Sequence, residues 1–137
     1  MGKMENITRR VCKTPHLGLR DNLFGGELLS WFDVDGLVFC SEKCDTSDLV
    51  TVSMNAKFIA SVKIKNIVYT YGRITSLGKT SVTCELVARK HDVETGKEKE
   101  VGKAEIVFVR VDSEGEPRMF SDRIREKLGF KPINEGK

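Results

Sequence analysis

Asp33 stands inside an apolar run, Leu28-Leu29-Ser30-Trp31-Phe32-Asp33-Val34-Asp35-Gly36-Leu37-Val38-Phe39. At about 100° per residue on a helix, Leu29, Asp33 and Leu37 fall in line, with Gly36 and Cys40 close by. A carboxyl group in such a stripe loses hydration, which raises its pKa and costs on the order of several kcal/mol unless hydrogen bonds or charges offset it. An acid of this kind suits a general base or a nucleophile. It can also be satisfied by backbone groups or face a seam between two copies. Asp35 falls on the side of Glu42 and is expected at a wetter edge.

The second feature is Phe24-Gly25-Gly26, directly before that run. Two glycines allow close approach to the backbone, and the free N–H groups of a helix start suit an anion or a developing oxyanion. A tight turn into the helix is the alternative. Gly25 and Asp33 are eight residues apart, roughly 12 Å along one helix. One small reacting group cannot contact both in a single chain. If both act together, they come from two chains whose helices run antiparallel at a two-fold interface, with two equivalent sites per dimer.

The other residues that carry chemistry are sparse. Cys12, Cys40, Cys44 and Cys84 form no C-x-x-C pair, and the two histidines are His16 and His91. Their spacing does not fit a zinc site, and Cys40 and Cys44, four apart on a helix, are expected to be two reduced, mostly buried thiols.

The elements that must hold these residues follow from pattern. Residues 8–14 read as a first strand, 15–26 as a loop and 27–43 as a helix broken by Asp45, Ser47 and Asp48. Residues 50–58 alternate with period two, 66–77 are rich in β-branched and aromatic residues, and 80–90 alternate again, with Gly78 and Lys79 at the turn between. Residues 92–100 read as a hairpin loop, 104–111 as the last strand and 121–129 as a short helix capped by Ser121 or Asp122. The long helix is apolar on most sides, which marks it as enclosed. The fold class is α+β, an antiparallel sheet of five strands wrapped around one central helix.

The chain has 137 residues, enough for one domain (core about 8–118, then a tail) and too few for a deep cleft of its own. Its 23 basic and 20 acidic residues are too balanced to point to nucleic acid. No apolar run approaches the roughly 18 residues of a membrane helix, and the first residues lack a leader's apolar core, so a cytoplasmic chain without membrane partner is expected.

The run Leu23-Phe24-Gly25-Gly26-Glu27-Leu28-Leu29-Ser30-Trp31-Phe32-Asp33 resembles the F-G-G-x-L-L-x-x-x-D signature of the hotdog-fold acyl-CoA thioester hydrolases in their cytoplasmic single-domain form. Three further blocks agree in order: Val50-Thr51 with Phe58, then Gly78-Lys79-Thr80-Ser81-Val82, then Phe108-Val109-x-Val111-Asp112-x-x-Gly115-x-Pro117. Together they cover roughly residues 10–118. The resemblance implies a homodimer with a continuous sheet, often a hexamer as a trimer of dimers. It implies hydrolysis of acyl-CoA to a free acid and CoA, with no metal or redox cofactor, coenzyme A being part of substrate and product. It implies Asp33 as the catalytic carboxylate, the N–H of Gly25 or Gly26 as the group polarising the carbonyl, and Thr80 and Ser81 near CoA. Phe24 and Phe58 belong to the matching motifs beside the substrate.

The sequence also departs from the family pattern H-x-N-x-x-G-x-x-F-G-G. His16 fits, but Gly18 stands in place of the Asn and Asp21 in place of the Gly. Asn22 is the nearby substitute for placing water. A Pro common after the second strand is replaced near Ser61. Lys57, Arg89, Lys90, Arg123, Arg125 and Lys127 are the candidate partners of the CoA phosphates. The rival readings are a non-catalytic acyl-CoA-binding or regulatory dimer, and a dehydratase, which needs a His paired with an acid across the seam.

Overall fold

The computed structural model describes residues 3–133. Five strands form one antiparallel sheet: β1 (Glu5–Val11), β2 (Leu49–Phe58), β3 (Ile67–Leu77), β4 (Ser81–His91) and β5 (Glu98–Arg110), in the order β1-β3-β4-β5-β2. The helix α1 (Gly25–Cys44) lies on one face, and a short helix α2 (Asp122–Lys127) closes the tail.

The period-two pattern does what it predicts. Along β4, Val82, Cys84, Leu86 and Ala88 are fully buried while their neighbours are half-buried on the outer face. On β5, Ile106 and Phe108 project up under α1, and Gly36 of the helix sits directly on them. A β-carbon at Gly36 would stand 3.1 Å from Ile106 Cδ1 and 3.2 Å from Phe108 Cζ. The glycine is therefore what lets the helix settle onto the sheet.

Two spans shift from the sequence reading. β1 ends at Val11, because Thr14–His16 with Pro15 turns into a 3-10 segment. β5 starts at Glu98 and not near 104, because the tight turn is Asp92–Lys97 with Gly96 at φ 72°. Glu98, Lys99 and Glu100 meet solvent at the rim with no apolar period to mark them, and burial begins at Val101. His91 consequently closes β4.

The enclosure of α1 also needs correction for a single chain. Its sheet side buries Leu28, Trp31, Phe32, Phe39 and Cys40. Its other side leaves Leu29 and Leu37 37% exposed and Val34 and Val38 49% exposed. Five strands curl round only one side of the helix. The adjoining edge strand β2 exposes Val50 and Val52 as well. Among the described residues, no helix is long and apolar enough to cross a membrane.

Candidate functional site

The helix start is built by its own leading loop. Phe24 N–H donates to His16 O at 2.9 Å, and Leu23 N–H to Val62 O at 2.8 Å. Arg20 and Asp21 take left-handed backbone conformations at φ 61° and 54°. Glycine is the easy residue there and aspartate a tolerated one, which explains how Asp21 stands where a glycine is common. Phe24 provides the cap position without a side-chain cap, and its carbonyl accepts from Glu27 and Leu28 N–H. The N–H groups of Gly25 and Gly26 find no backbone acceptor among the described residues, as the first turn of any helix leaves them.

The two glycines differ in what approaches them. At Gly26 it is the Phe24 ring, whose Cε2 would lie 2.7 Å from a β-carbon there. The same ring lies 3.0 Å from a β-carbon position at Gly18. Phe24 itself is exposed. At Gly25 the neighbour is the Phe58 ring, at an ordinary 3.6 Å. Gly25 faces a cavity of about 380 Å³ lined by Asn22, Leu28, Phe58 and residues 59–62. Asn22 Oδ1 accepts from Lys63 Nζ. A larger cavity, about 460 Å³, lies at the other end of α1 beside Phe39, Lys43, Arg73 and Phe130 and holds none of these residues.

Asp33 sits two turns further along α1, half-buried, on the same side as exposed Leu29 and Leu37. Thr51 Oγ1 of β2 donates to its Oδ1 at 2.7 Å. The fully buried carboxylate is Asp35, which corrects the sequence reading. It accepts from Thr8 Oγ1 at 2.8 Å and from Arg10 Nη1 and Nη2 at 2.6 and 2.7 Å. Residues two apart on a helix face about 200° apart, so one of this pair had to meet the sheet side. Burying it without the Arg10 charge and three hydrogen bonds costs several kcal/mol, about as much as many whole domains can spare.

Thr80 and Ser81 lie at the opposite end of the sheet from Gly25. Thr80 O accepts from Arg110 N–H at 2.8 Å, and Ser81 O from Gly78 N–H at 2.8 Å. The structure does not bring them to Gly25 within one chain. Lys57 precedes Phe58 and so points to the outer face of β2, beside Lys103 and Glu105. Arg89 also faces outward, 3.9 Å from Glu100. Lys90 Nζ donates to Ser61 O at 2.7 Å, which fixes the cavity wall. Arg123 and Lys127 both pair with Asp45, at 3.4 and 3.0 Å. Arg125 is buried and donates to Leu77 O and Gly78 O, so it is a strap across the β3–β4 turn and not a cation at a mouth.

Sequence reasoning missed Arg10, Thr8 and Thr51 as partners, because each lies on another strand with no local signal. Cys40 and Cys44 are free and buried, as expected, and so are Cys12 and Cys84. A hydrogen bond between Cys40 and Cys84 together with burial pushes the Cys40 thiol pKa upward, and burial pushes Cys44 up to about 11.

The family model described as "Thioesterase superfamily" matches residues 21–97, from the helix approach to the β4–β5 turn. Acyl-CoA thioester hydrolase YciA of Escherichia coli is 30% identical over 116 residues, covering 82% of this chain and 87% of that one. A hexameric hotdog-fold thioesterase of Campylobacter jejuni superposes with a TM-score of 0.84 at 26% identity, over 92% of this chain and 97% of that chain. A hexameric thioesterase of Yersinia pestis does so with a TM-score of 0.79 at 25% identity, over 88% and 98%. The five-stranded sheet with its central helix is the hotdog fold. With the signature run at Phe24–Asp33 inside the matched region, the chain belongs to the thioesterase superfamily.

Proposed function

We propose that this chain is an acyl-CoA thioesterase, hydrolysing acyl-CoA to a free carboxylic acid and CoA at sites shared between two copies. The observation that carries the reading is a division of labour along α1. Two unpaired N–H groups at Gly25 and Gly26 border a cavity at one end, while Asp33 lies about 12 Å further on, on an exposed apolar face. Two-fold pairing of these faces, with the β2 edges joined into one sheet, sets the Asp33 of one copy toward the Gly25 turn of the other. It also carries Thr80 and Ser81, at the far end of their own sheet, toward that same turn. The hexameric Campylobacter and Yersinia relatives support a trimer of such dimers.

In this site the thioester oxygen accepts from the Gly25 or Gly26 N–H, where negative charge grows as the carbonyl carbon becomes tetrahedral. Asp33, acting as general base, takes a proton from water as the new C–O bond forms. Collapse of the adduct breaks the C–S bond, and the proton passes from Asp33 to the CoA sulfur. Alternatively the Asp33 carboxylate attacks the carbonyl itself, the C–S bond breaks to release CoA as its thiolate, and water then cleaves the anhydride, giving one proton to that thiolate. A thioester needs little more, because a thiolate is a far better leaving group than an alkoxide. Asn22, at the cavity wall, takes the role of holding the water. The residues present supply this chemistry without a metal or redox group. The four buried free thiols support a reducing, cytoplasmic setting.

The test is thiol release from acyl-CoAs of graded chain length, wild type against Asp33→Ala. Release by wild type and a fall of about 10³-fold in the variant is expected, as for loss of a base or nucleophile. Saturable binding of acyl-CoA with no release by wild type would mark a binder and overturn the hydrolase reading.

A further inference from the structure

The hydrogen bonds and ring contacts around Asp35 continue beyond it, and they end at the donor turn. Asp35 holds the Arg10 guanidinium by two bonds. Arg10 Cζ lies 5.3 Å over the Trp31 ring. Trp31 meets the His16 ring edge-on, with centroids 5.2 Å apart and planes at 86°. His16 Nδ1 accepts the Lys13 N–H at 3.0 Å, and His16 O accepts the Phe24 N–H at 2.9 Å. Phe24 is the residue before Gly25. Every step is a direct contact, from the buried middle of α1, through the edge strand β1, up to the turn.

We propose that Asp35, Arg10, Trp31 and His16 form a positioning ladder that fixes the Gly25–Gly26 turn, acting on the reaction without touching substrate. This rests on the thioesterase reading above only for its kinetic consequence. The physical reason is that the turn lacks a side-chain cap at Phe24, and its residues 19–21 carry two left-handed non-glycine positions. Backbone bonds such as Gly18 N–H to Asn22 O and Leu23 N–H to Val62 O hold the loop up to residue 23, and the bond from Phe24 N–H to His16 O ties the turn itself to the ladder. The ladder supplies that constraint from two rigid elements. A misplacement of donors by about 1 Å weakens them most where charge is greatest, so the transition state suffers more than the bound substrate.

Three conservative variants take the ladder apart one contact at a time. Arg10→Lys keeps a cation for Asp35 but loses the planar stack on Trp31. His16→Phe keeps a ring edge on Trp31 and loses the acceptor for Lys13. His16→Asn keeps an acceptor at the δ position and loses the ring. Each is measured in three ways: kcat and KM per folded molecule on the best acyl-CoA, hydrogen exchange of residues 17–28 by mass spectrometry, and emission of Trp31, the single tryptophan. Ile106→Val, a core change in β5 at a residue outside the ladder, serves as the control for general destabilisation.

A kcat about tenfold lower is expected for Arg10→Lys and for each His16 variant, with KM changed less than about threefold. Faster exchange in 17–28 and a shifted Trp31 emission accompany it, while Ile106→Val leaves all three near wild type. Unchanged exchange in residues 17–28 in all three variants overturns the ladder, whatever the activity. So does a kcat loss matched by Ile106→Val at equal loss of stability. If wild type releases no thiol but the exchange still quickens, the hydrolase reading fails and the ladder stands as the device that fixes the helix start.

Discussion

The pair Arg10–Asp35 lends itself to a quantitative test, because one partner is fully buried and the other keeps only part of its side chain in water. Asp35 Oδ1 and Oδ2 together accept three hydrogen bonds of 2.6–2.8 Å, and the side-chain exposures are 0% for Asp35 and 24% for Arg10. Removing one member of a buried pair leaves the other uncompensated, at a cost of about 3–5 kcal/mol. In Asp35→Leu the stranded Arg10 regains some hydration through its exposed fraction, which places the cost near 3 kcal/mol. In Arg10→Met the carboxylate keeps only the Thr8 hydroxyl and has no route to water, so the cost is at least as large. The double variant strands no charge and replaces the pair by apolar groups of similar bulk, an exchange that is often near neutral. Its cost is no greater than that of either single change, giving a coupling energy of at least about 3 kcal/mol. The Arg10–Trp31 stacking is lost in both Arg10→Met backgrounds and cancels in the cycle. The assay is urea unfolding followed by circular dichroism at one fixed subunit concentration, since association adds to apparent stability. Single-variant effects that add to within about 0.5 kcal/mol would refute the buried-pair reasoning.

Other outcomes follow from the same geometry. Gly36→Ala is destabilising by about 1–2 kcal/mol, because the 3.1–3.3 Å contacts with fully buried Ile106 and Phe108 outweigh the helix preference of alanine. Gly26→Ala is tolerated in a thermal melt, because the colliding ring is that of exposed Phe24, which can swing away; a loss as large as that of Gly36→Ala would contradict this. Val38→Lys and Val52→Lys, placed on the exposed apolar face, lower the molar mass seen by light scattering; an unchanged mass would remove this face from assembly. The raised thiols of Cys40 and Cys44 stay neutral in the fold while an unfolded cysteine ionises, so their stabilisation is complete below about pH 8.5 and declines as pH rises toward the folded values. Urea midpoints should therefore fall above pH 9, and thiol reagents should label the cysteines only on unfolding. Reaction of Cys40 or Cys44 in the native protein would count against their burial. Single turnover in ¹⁸O-water separates the two roles of Asp33, since direct attack followed by hydrolysis at the aspartyl carbonyl leaves a protein oxygen in the first product.

Much of this arrangement was readable from residue patterns, and the exceptions have physical causes. β2 and β4 were legible because one face of each alternates apolar residues against polar ones. The start of β5 was not, because its alternating Lys and Glu both meet water at the rim and mimic a loop. The choice between Asp33 and Asp35 was the sharpest failure. With apolar residues distributed nearly all round α1, nothing in the sequence says which side meets its own sheet and which meets a second copy. The partner that makes burial of Asp35 tolerable, Arg10, comes from a strand whose contact with the helix is purely tertiary. Gly26 read as room for a ligand, whereas the group occupying that room is the Phe24 ring. The signature run from Phe24 to Asp33 was legible because it compresses the helix start and the carboxylate into one local stretch.

Whether the site is shared is decided most directly by subunit complementation. Gly25→Pro and Gly26→Pro each remove a donor N–H at first-turn positions where proline is tolerated, and the extended conformation of Phe24 (ψ 133°) suits a following proline. Whichever of them abolishes thiol release is mixed in equal amount with Asp33→Ala subunits, dissociated and reassembled, with exchange verified by mass. A site built from the Gly25–Gly26 turn of one copy and Asp33 of the other restores about a quarter of wild-type activity, one intact site of two in half of the dimers. Exchanged dimers with no activity above either parent would contradict the shared site.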